Sequence, residues 1–363
     1  MSGFLVASTW ILSYQLGTLY MQIVPFIFSL FVFTELRRLK KNVEMERQSG
    51  IKIVDWMLFV FSNCATLPMG AFNREIMENS GFSREKNPII FGLLYEYYFL
   101  SVMIGSTIIF LTFILSLKKE TVKYQINHFF FSFIAAFYAS CTAASIGYVA
   151  YFGRYWYHFP MFCITWNDAS AYFVGRSIGR TKLIGLSPKK TVEGFVGALI
   201  SNFLTTLLFL DYWLQGNNFW TCQPMKITWK PFEDYQCTEV HRLYIQKEYP
   251  LPFSFFGFST FTTCPAVVIS LAYTFFAAII APFAGFFASG IKRAYQIKDF
   301  ADTLPGHGGF TDRFDCISLC CFFNFVMVST VIFRNEVKAE SAFRAIQELG
   351  LSEQQSILSL FSN

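Results

Sequence analysis

The chain has 363 residues, of which 54% are hydrophobic, 20% aromatic and only 15% charged, with 46 phenylalanines and a formal net charge of +5. Its mean hydropathy is +0.41. Soluble domains carry about a quarter charged residues, so this composition excludes an ordinary water-facing surface, a disordered chain, a nucleic-acid binder and a small disulfide scaffold.

Eight apolar stretches follow one another along the chain, at 1–34, 53–72, 89–117, 125–151, 155–174, 194–210, 264–288 and 316–333, and they hold only three charged residues, Asp55, Glu96 and Asp168. About 20 mostly apolar residues cross the hydrocarbon layer, and inside it every backbone polar group must find a partner, so each stretch predicts a helix. Gly17 and Pro25 can divide the first stretch into two. The expected fold class is all-α: a polytopic integral membrane protein with about eight or nine transmembrane helices. The N-terminal stretch lacks the basic n-region and small-residue cleavage site of a secretory signal peptide.

The loops set the orientation. Arg37, Arg38, Lys40, Lys41, Arg47 and Lys52 place 35–52 in the cytosol by the positive-inside rule. Counting spans onward brings 118–124, 175–193 and 289–315 to the same side and sends 73–88 and 211–263 to the other. The long loop 211–263 contains Cys222 and Cys237, a candidate disulfide if that side is oxidising. The remaining cysteines mostly lie in apolar spans and read as small hydrophobes.

Two constellations stand against this apolar background. The first starts at Asp168, an acid near the end of an uncharged span, where an ionised carboxylate needs a cation, a metal or water. Beyond it come Gly175-Arg176, Gly179-Arg180 and Lys182, then Ser187-Pro188-Lys189-Lys190-Thr191 just before the next helix. A Ser-Pro turn presenting two lysines and a threonine at a helix start makes a phosphate-binding arrangement. A positive-inside anchor is the plainer alternative.

The second is denser: Ser289-Gly290-Ile291-Lys292-Arg293, Lys298-Asp299, Leu304-Pro305-Gly306-His307-Gly308-Gly309 and Asp312-Arg313-Phe314-Asp315. Asp312 and Asp315 are three apart, so on a helix both carboxylates point to one face. Neighbouring carboxylates are relieved by a shared proton or a divalent cation. Beside a Gly-Gly turn and several cations, a magnesium–nucleotide site is the hypothesis this pattern suggests.

The run from Ser289 through Lys292-Arg293, Lys298-Asp299 and His307-Gly308-Gly309 to Asp312-Arg313 and Asp315 resembles the signature of phosphatidate cytidylyltransferases. The 168–194 block is similar to that family's other recognisable segment. In place of the Gly-Asp pair of bacterial members stands Gly285, followed by Phe286, as in eukaryotic members; this leaves Asp168, Asp312 and Asp315 to supply the carboxylates. The resemblance implies transfer of CMP from CTP to phosphatidic acid. It implies Mg2+ on Asp312, Asp315 and Asp168, with Lys298 and His307 completing the catalytic set. Ser187, Lys189, Lys190, Thr191, Ser289, Lys292, Arg293 and Arg313 would bind substrate phosphates. It further implies a homodimer in the endoplasmic reticulum membrane, with the active site facing the cytosol and part of 296–312 dipping into the membrane. The corresponding organisation is an N-terminal transmembrane region 1–88, a catalytic membrane domain 89–333 and an amphipathic tail 334–363. A CTP-dependent lipid or polyprenol kinase, and more distantly an ion-coupled transporter using Asp168, are the rival readings.

Overall fold

The computed structural model describes residues 18–39, 43–66, 77–78, 81–82, 84–185, 187–214, 218–222, 242–255, 258–303, 308–333, 346, 350 and 353–354. Residues Met1–Phe325 form one compact unit and Val326–Asn363 a second. The chain is overwhelmingly helical. In order it forms α1 (Thr18–Arg38), α2 (Val43–Ser49), α3 (Lys52–Thr66), the short α4 (Pro88–Phe91) with a π-helical turn, α5 (Tyr98–Ser116), α6 (Val122–Val149) and α7 (Arg154–Ile178). A hairpin of β1 (Lys182–Ile184) and β2 (Ser187–Thr191) precedes α8 (Val192–Leu214) and the short α9 (Asn218–Thr221). A second hairpin, β3 (Lys247–Phe255) and β4 (Phe258–Thr263), precedes α10 (Pro265–Ile279), α11 (Ala281–Ala294) and α12 (Thr311–Phe333).

Among the described residues, six helical segments are long and apolar enough to cross a membrane: Tyr20–Arg38, Tyr98–Ser116, Val122–Phe152, Val192–Leu210, Pro265–Ala294 and Thr311–Thr330. Their outer faces are apolar. Phe99 is 82% exposed, Leu115 85% and Leu208 77%, an arrangement suited to lipid and costly in water. Two further expected stretches coincide with α3 and α7, which are not among the six. α3 has 15 residues, short of a full crossing, while α7 has 25 but carries Arg154, His158, Asn167 and Asp168. The other expected division, of 1–34, falls partly on residues 1–17, outside the described residues.

The core follows from side-chain size. Ala135, Ala136 and Ala139 give α6 a stripe of small residues, against which α1 and α3 pack Phe33, Val54, Leu58 and Phe59. Small residues at a helix interface let backbones approach closely, the main source of helix association in lipid. Phe33 and Phe59 stack at 4.7 Å between centroids. Phe276 of α10 stacks on Phe323 of α12 at 3.8 Å between centroids.

The segment Pro265–Ala294 contains 30 residues, about 45 Å of helix at 1.5 Å per residue, against a hydrocarbon layer of about 30 Å. It is broken at Ile280, and Pro282 sits in the first turn of α11, where its missing N–H is tolerated. Lys292 and Arg293 fall in the last turn of α11. Cys222, at the end of α9, is disulfide-bonded; Cys237 lies outside the described residues.

Candidate active site

Asp168 belongs to α7, whose last turns converge with the β1–β2 hairpin, the start of α8 and α11 around one cavity of about 770 Å³. That volume suits a drug- or nucleotide-sized ligand. Its polar wall includes Asn167, Asp168, Tyr172, Arg176, Lys190, Lys292 and Arg313; Leu183, Phe195, Ala198, Pro282 and Phe286 make an apolar wall. Four cations thus face one carboxylate among the lining residues described. Such a lining can offer charge-assisted contacts to an anion and apolar contact to a hydrocarbon part.

The expected turn at Ser187–Thr191 is instead a strand. It pairs antiparallel with Lys182–Ile184, matching Lys182 to Thr191 and Ile184 to Ser187. Pro188 is accommodated because a two-stranded hairpin has edges that need no donor. The junction with α8 is fastened twice. Thr191 Oγ1 accepts the Gly194 amide at 3.2 Å, capping the helix. Glu193, in the first turn, accepts the Arg180 amide at 3.0 Å and the Thr181 hydroxyl at 2.9 Å. The hairpin is thereby held against the helix start, and Lys190 Nζ comes to 3.7 Å from Asp168 Oδ1. Ser187 and Thr191 also line the cavity. The Lys189 side chain lies outside the described residues.

The second constellation folds around the first turn of α12. Lys292 Nζ donates to Asp312 Oδ1 at 2.6 Å, while Asp312 Oδ2 accepts the amides of Phe300 at 2.9 Å and Gly309 at 3.0 Å. Asp312 therefore ties α11, the connecting segment and α12 together. Lys292 also lies 5.5 Å from the Phe300 ring centroid, within cation–π range. Asp315 is placed differently. Its Oδ1 accepts the Cys316 amide at 2.7 Å, and its Oδ2 lies 3.5 Å from where a Cβ on Gly285 would stand. Asp315 and Asp168 are close enough to feel each other's charge.

The structure thus brings Asp168, Ser187, Lys190, Thr191, Lys292 and Arg313 to one cavity, with Asp312 and Asp315 on the adjoining helix turn. Ser289 lies on α11 with its hydroxyl bonded to the Gly285 carbonyl at 2.8 Å, and Arg293 and Lys298 are exposed. None of these three is among the cavity-lining residues. His307 falls outside the described residues. Three polar lining residues were absent from the expected site: Asn167, Tyr172 and Arg176. The Arg176 guanidinium donates to the Tyr172 hydroxyl at 2.8 Å, a helical i,i+4 pair whose spacing was readable in the sequence.

The sequence model of the Cytidylyltransferase family matches residues 1–331, and the chain belongs to this family. It is 31% identical to phosphatidate cytidylyltransferase 3 of Arabidopsis thaliana over 362 aligned positions, covering 94% of this chain and 72% of that protein. Phosphatidate cytidylyltransferase 2 of Homo sapiens is 37% identical over 226 positions, 61% of this chain and 50% of the human protein. The phosphatidate cytidylyltransferase of Saccharomyces cerevisiae is 32% identical over 251 positions, 68% of this chain and 54% of the yeast protein.

Proposed function

We infer that the chain is a phosphatidate cytidylyltransferase, transferring CMP from CTP to phosphatidic acid to give CDP-diacylglycerol and pyrophosphate for phospholipid synthesis. The observation that carries this reading is the cavity, where Arg176, Lys190, Lys292 and Arg313 adjoin an apolar wall of Phe195, Ala198, Pro282 and Phe286. A lipid phosphate and a nucleotide triphosphate both need cations, and only the lipid needs the apolar wall.

The nucleophile is the phosphomonoester of the lipid, anionic at neutral pH, so the site has no need of a strong general base. The barrier is electrostatic: an anion must approach the α-phosphate of a highly charged nucleotide, and such transfers depend on positioning and charge stabilisation. In this reading Lys190, Lys292, Arg176 and Arg313 bind the phosphates and lower their mutual repulsion. Lys189, Arg293 and Lys298 extend the positive field, Ser187, Thr191 and Ser289 offer hydroxyl contacts, and His307 contacts the triphosphate or braces its turn.

Magnesium belongs to the proposal. Asp168 and Asp315 are near enough to sense each other's charge, Asp168 has Lys190 as its cation at 3.7 Å, and a hard divalent ion would relieve such a carboxylate pair. Gly285 lets the α11 backbone come close to Asp315, since a Cβ there would stand 3.1 Å from Cys316 Sγ and 3.5 Å from Asp315 Oδ2. Asp312 is engaged by Lys292 and two amides, so it joins the ligand set only if Lys292 turns toward substrate phosphate. When bound, magnesium supplies charge screening and stabilises the leaving pyrophosphate.

The wider placement is also inferred. The stretch 53–72, of which α3 is the described part, and α7 complete about eight or nine spans, the basic loops face the cytosol, and the enzyme acts as a homodimer in the endoplasmic reticulum membrane. CTP then arrives from water while phosphatidate keeps its acyl chains in the bilayer. The test is incubation of purified protein with phosphatidic acid and CTP labelled at the α-phosphate. Label extracted with the lipid supports cytidylyl transfer; label left as soluble CDP supports the kinase reading instead.

A further inference from the structure

Glu35 lies in the last turn of α1 and is only 1% exposed. A buried carboxylate is tolerated only when several donors replace its water. Here they come from a distant part of the chain. Glu35 Oε1 accepts the Thr303 hydroxyl at 2.5 Å and the Phe310 amide at 2.8 Å, and Oε2 accepts the Thr311 amide at 2.7 Å. Those amides open α12, where a carboxylate is also favoured by the helix dipole. A Cβ on Gly309 would stand 2.7 Å from Glu35 Oε2, so residue 309 must be glycine for the carboxylate to seat. The rings of Phe31 and Phe310 stack at 4.7 Å beside it.

The segment between α11 and α12 is therefore gripped by two carboxylates. Asp312 holds Phe300 and Gly309 from one side; Glu35 holds Thr303, Phe310 and Thr311 from the other. The end of α1 is itself anchored. Arg37 pairs with Glu46 and, at 2.5 Å, with Asp55, which His128 meets at 3.0 Å, and all four side chains are buried.

We propose that Glu35 is a positioning residue for the catalytic turn, fixing the start of α12 so that Asp312, Arg313 and Asp315 keep their places around the cavity. Glu35 is not among the residues that line the cavity. The proposal rests on the cytidylyltransferase reading of the site, and its test separates the two. Wild-type CDP-lipid formation tests that reading, whereas the ratio of variant to wild type tests the role of Glu35. For Glu35→Gln, kcat is expected to fall by about 10²-fold, the loss typical of a small misplacement of catalytic groups. KM for CTP and phosphatidate should stay within about three-fold, because Arg176 and Lys190, carried by α7 and β2 and not held by Glu35, still bind the phosphates. Glu35→Asp should recover part of kcat. Gly309→Ala should lose kcat similarly, and the double variant should be no worse than the weaker single by more than about three-fold, since both act on one contact. A readout independent of turnover is amide hydrogen exchange: Phe310 and Thr311 should be protected in wild type and exchange faster in Glu35→Gln. Unchanged kcat with unchanged exchange in Glu35→Gln, or fully multiplicative losses in the double variant, would overturn the proposal.

Discussion

The ammonium of Lys292 stands 2.6 Å from Asp312 Oδ1, joining the last turn of α11 to the first turn of α12. Each group needs the other, because a largely buried charge without its partner is costly. Asp312→Asn is expected to reduce turnover by about 10²- to 10³-fold, as does loss of a single preorganised charge-stabilising group, while the protein still inserts and purifies normally. Steady-state kinetics with CTP and phosphatidate, alongside size-exclusion profiles in detergent, check both halves. The double variant with Lys292→Ala should lose far less than the product of the two single losses.

Asp315 makes a different prediction, because its Oδ1 accepts the Cys316 amide and it has no lysine partner like that of Asp312 among the ion pairs described. Asp315→Asn and Asp168→Asn should abolish turnover at every magnesium concentration tried, and direct magnesium binding by isothermal titration should weaken in both. Near-normal binding in either variant would remove that residue from the ligand set.

The adjacent arginines 37 and 38 should behave unlike one another. Arg37 is buried against Asp55 and Glu46, whereas Arg38 is exposed. Removing one partner of a buried ion pair costs about 3–5 kcal/mol. Arg37→Ala or Asp55→Ala should accordingly lower the thermal unfolding midpoint in detergent by many degrees. Arg38→Ala should leave both the midpoint and turnover close to wild type.

Thr191 is expected to contribute through the hairpin more than through substrate contact. Its Oγ1 caps α8, and loss of such a cap typically costs about 1 kcal/mol. Thr191→Ser should retain the cap and near-normal kinetics; Thr191→Ala should raise KM for CTP by loosening the strand that carries Lys190. Equal KM values in the two variants would argue against this role.

Scarcity of charge made much of the architecture legible. With so few ionisable residues in the apolar stretches, Asp168 and the cluster from Lys292 to Asp315 stood out before any contact was known. The hairpin at Ser187 was hidden because its pairing partner, Lys182–Ile184, reads as one more part of a basic loop, and Pro188 argues locally against a strand. Arg293 and Lys298 share a segment with site residues, yet helical rotation and loop geometry turn them to the outside. Glu35 was invisible for a different reason. It bonds to residues about 270 positions away, and beside Arg37 and Arg38 it reads as an ordinary interfacial charge. Only the fold shows that its donors are the amides of the catalytic turn.

The central claim is tested most directly by following the phosphorus products of CTP and phosphatidate with purified protein by ³¹P NMR. Cytidylyl transfer predicts a diphosphate diester in the lipid fraction, appearing one-to-one with pyrophosphate in the aqueous phase. Appearance of CDP, with no pyrophosphate and no CDP-lipid, would contradict it.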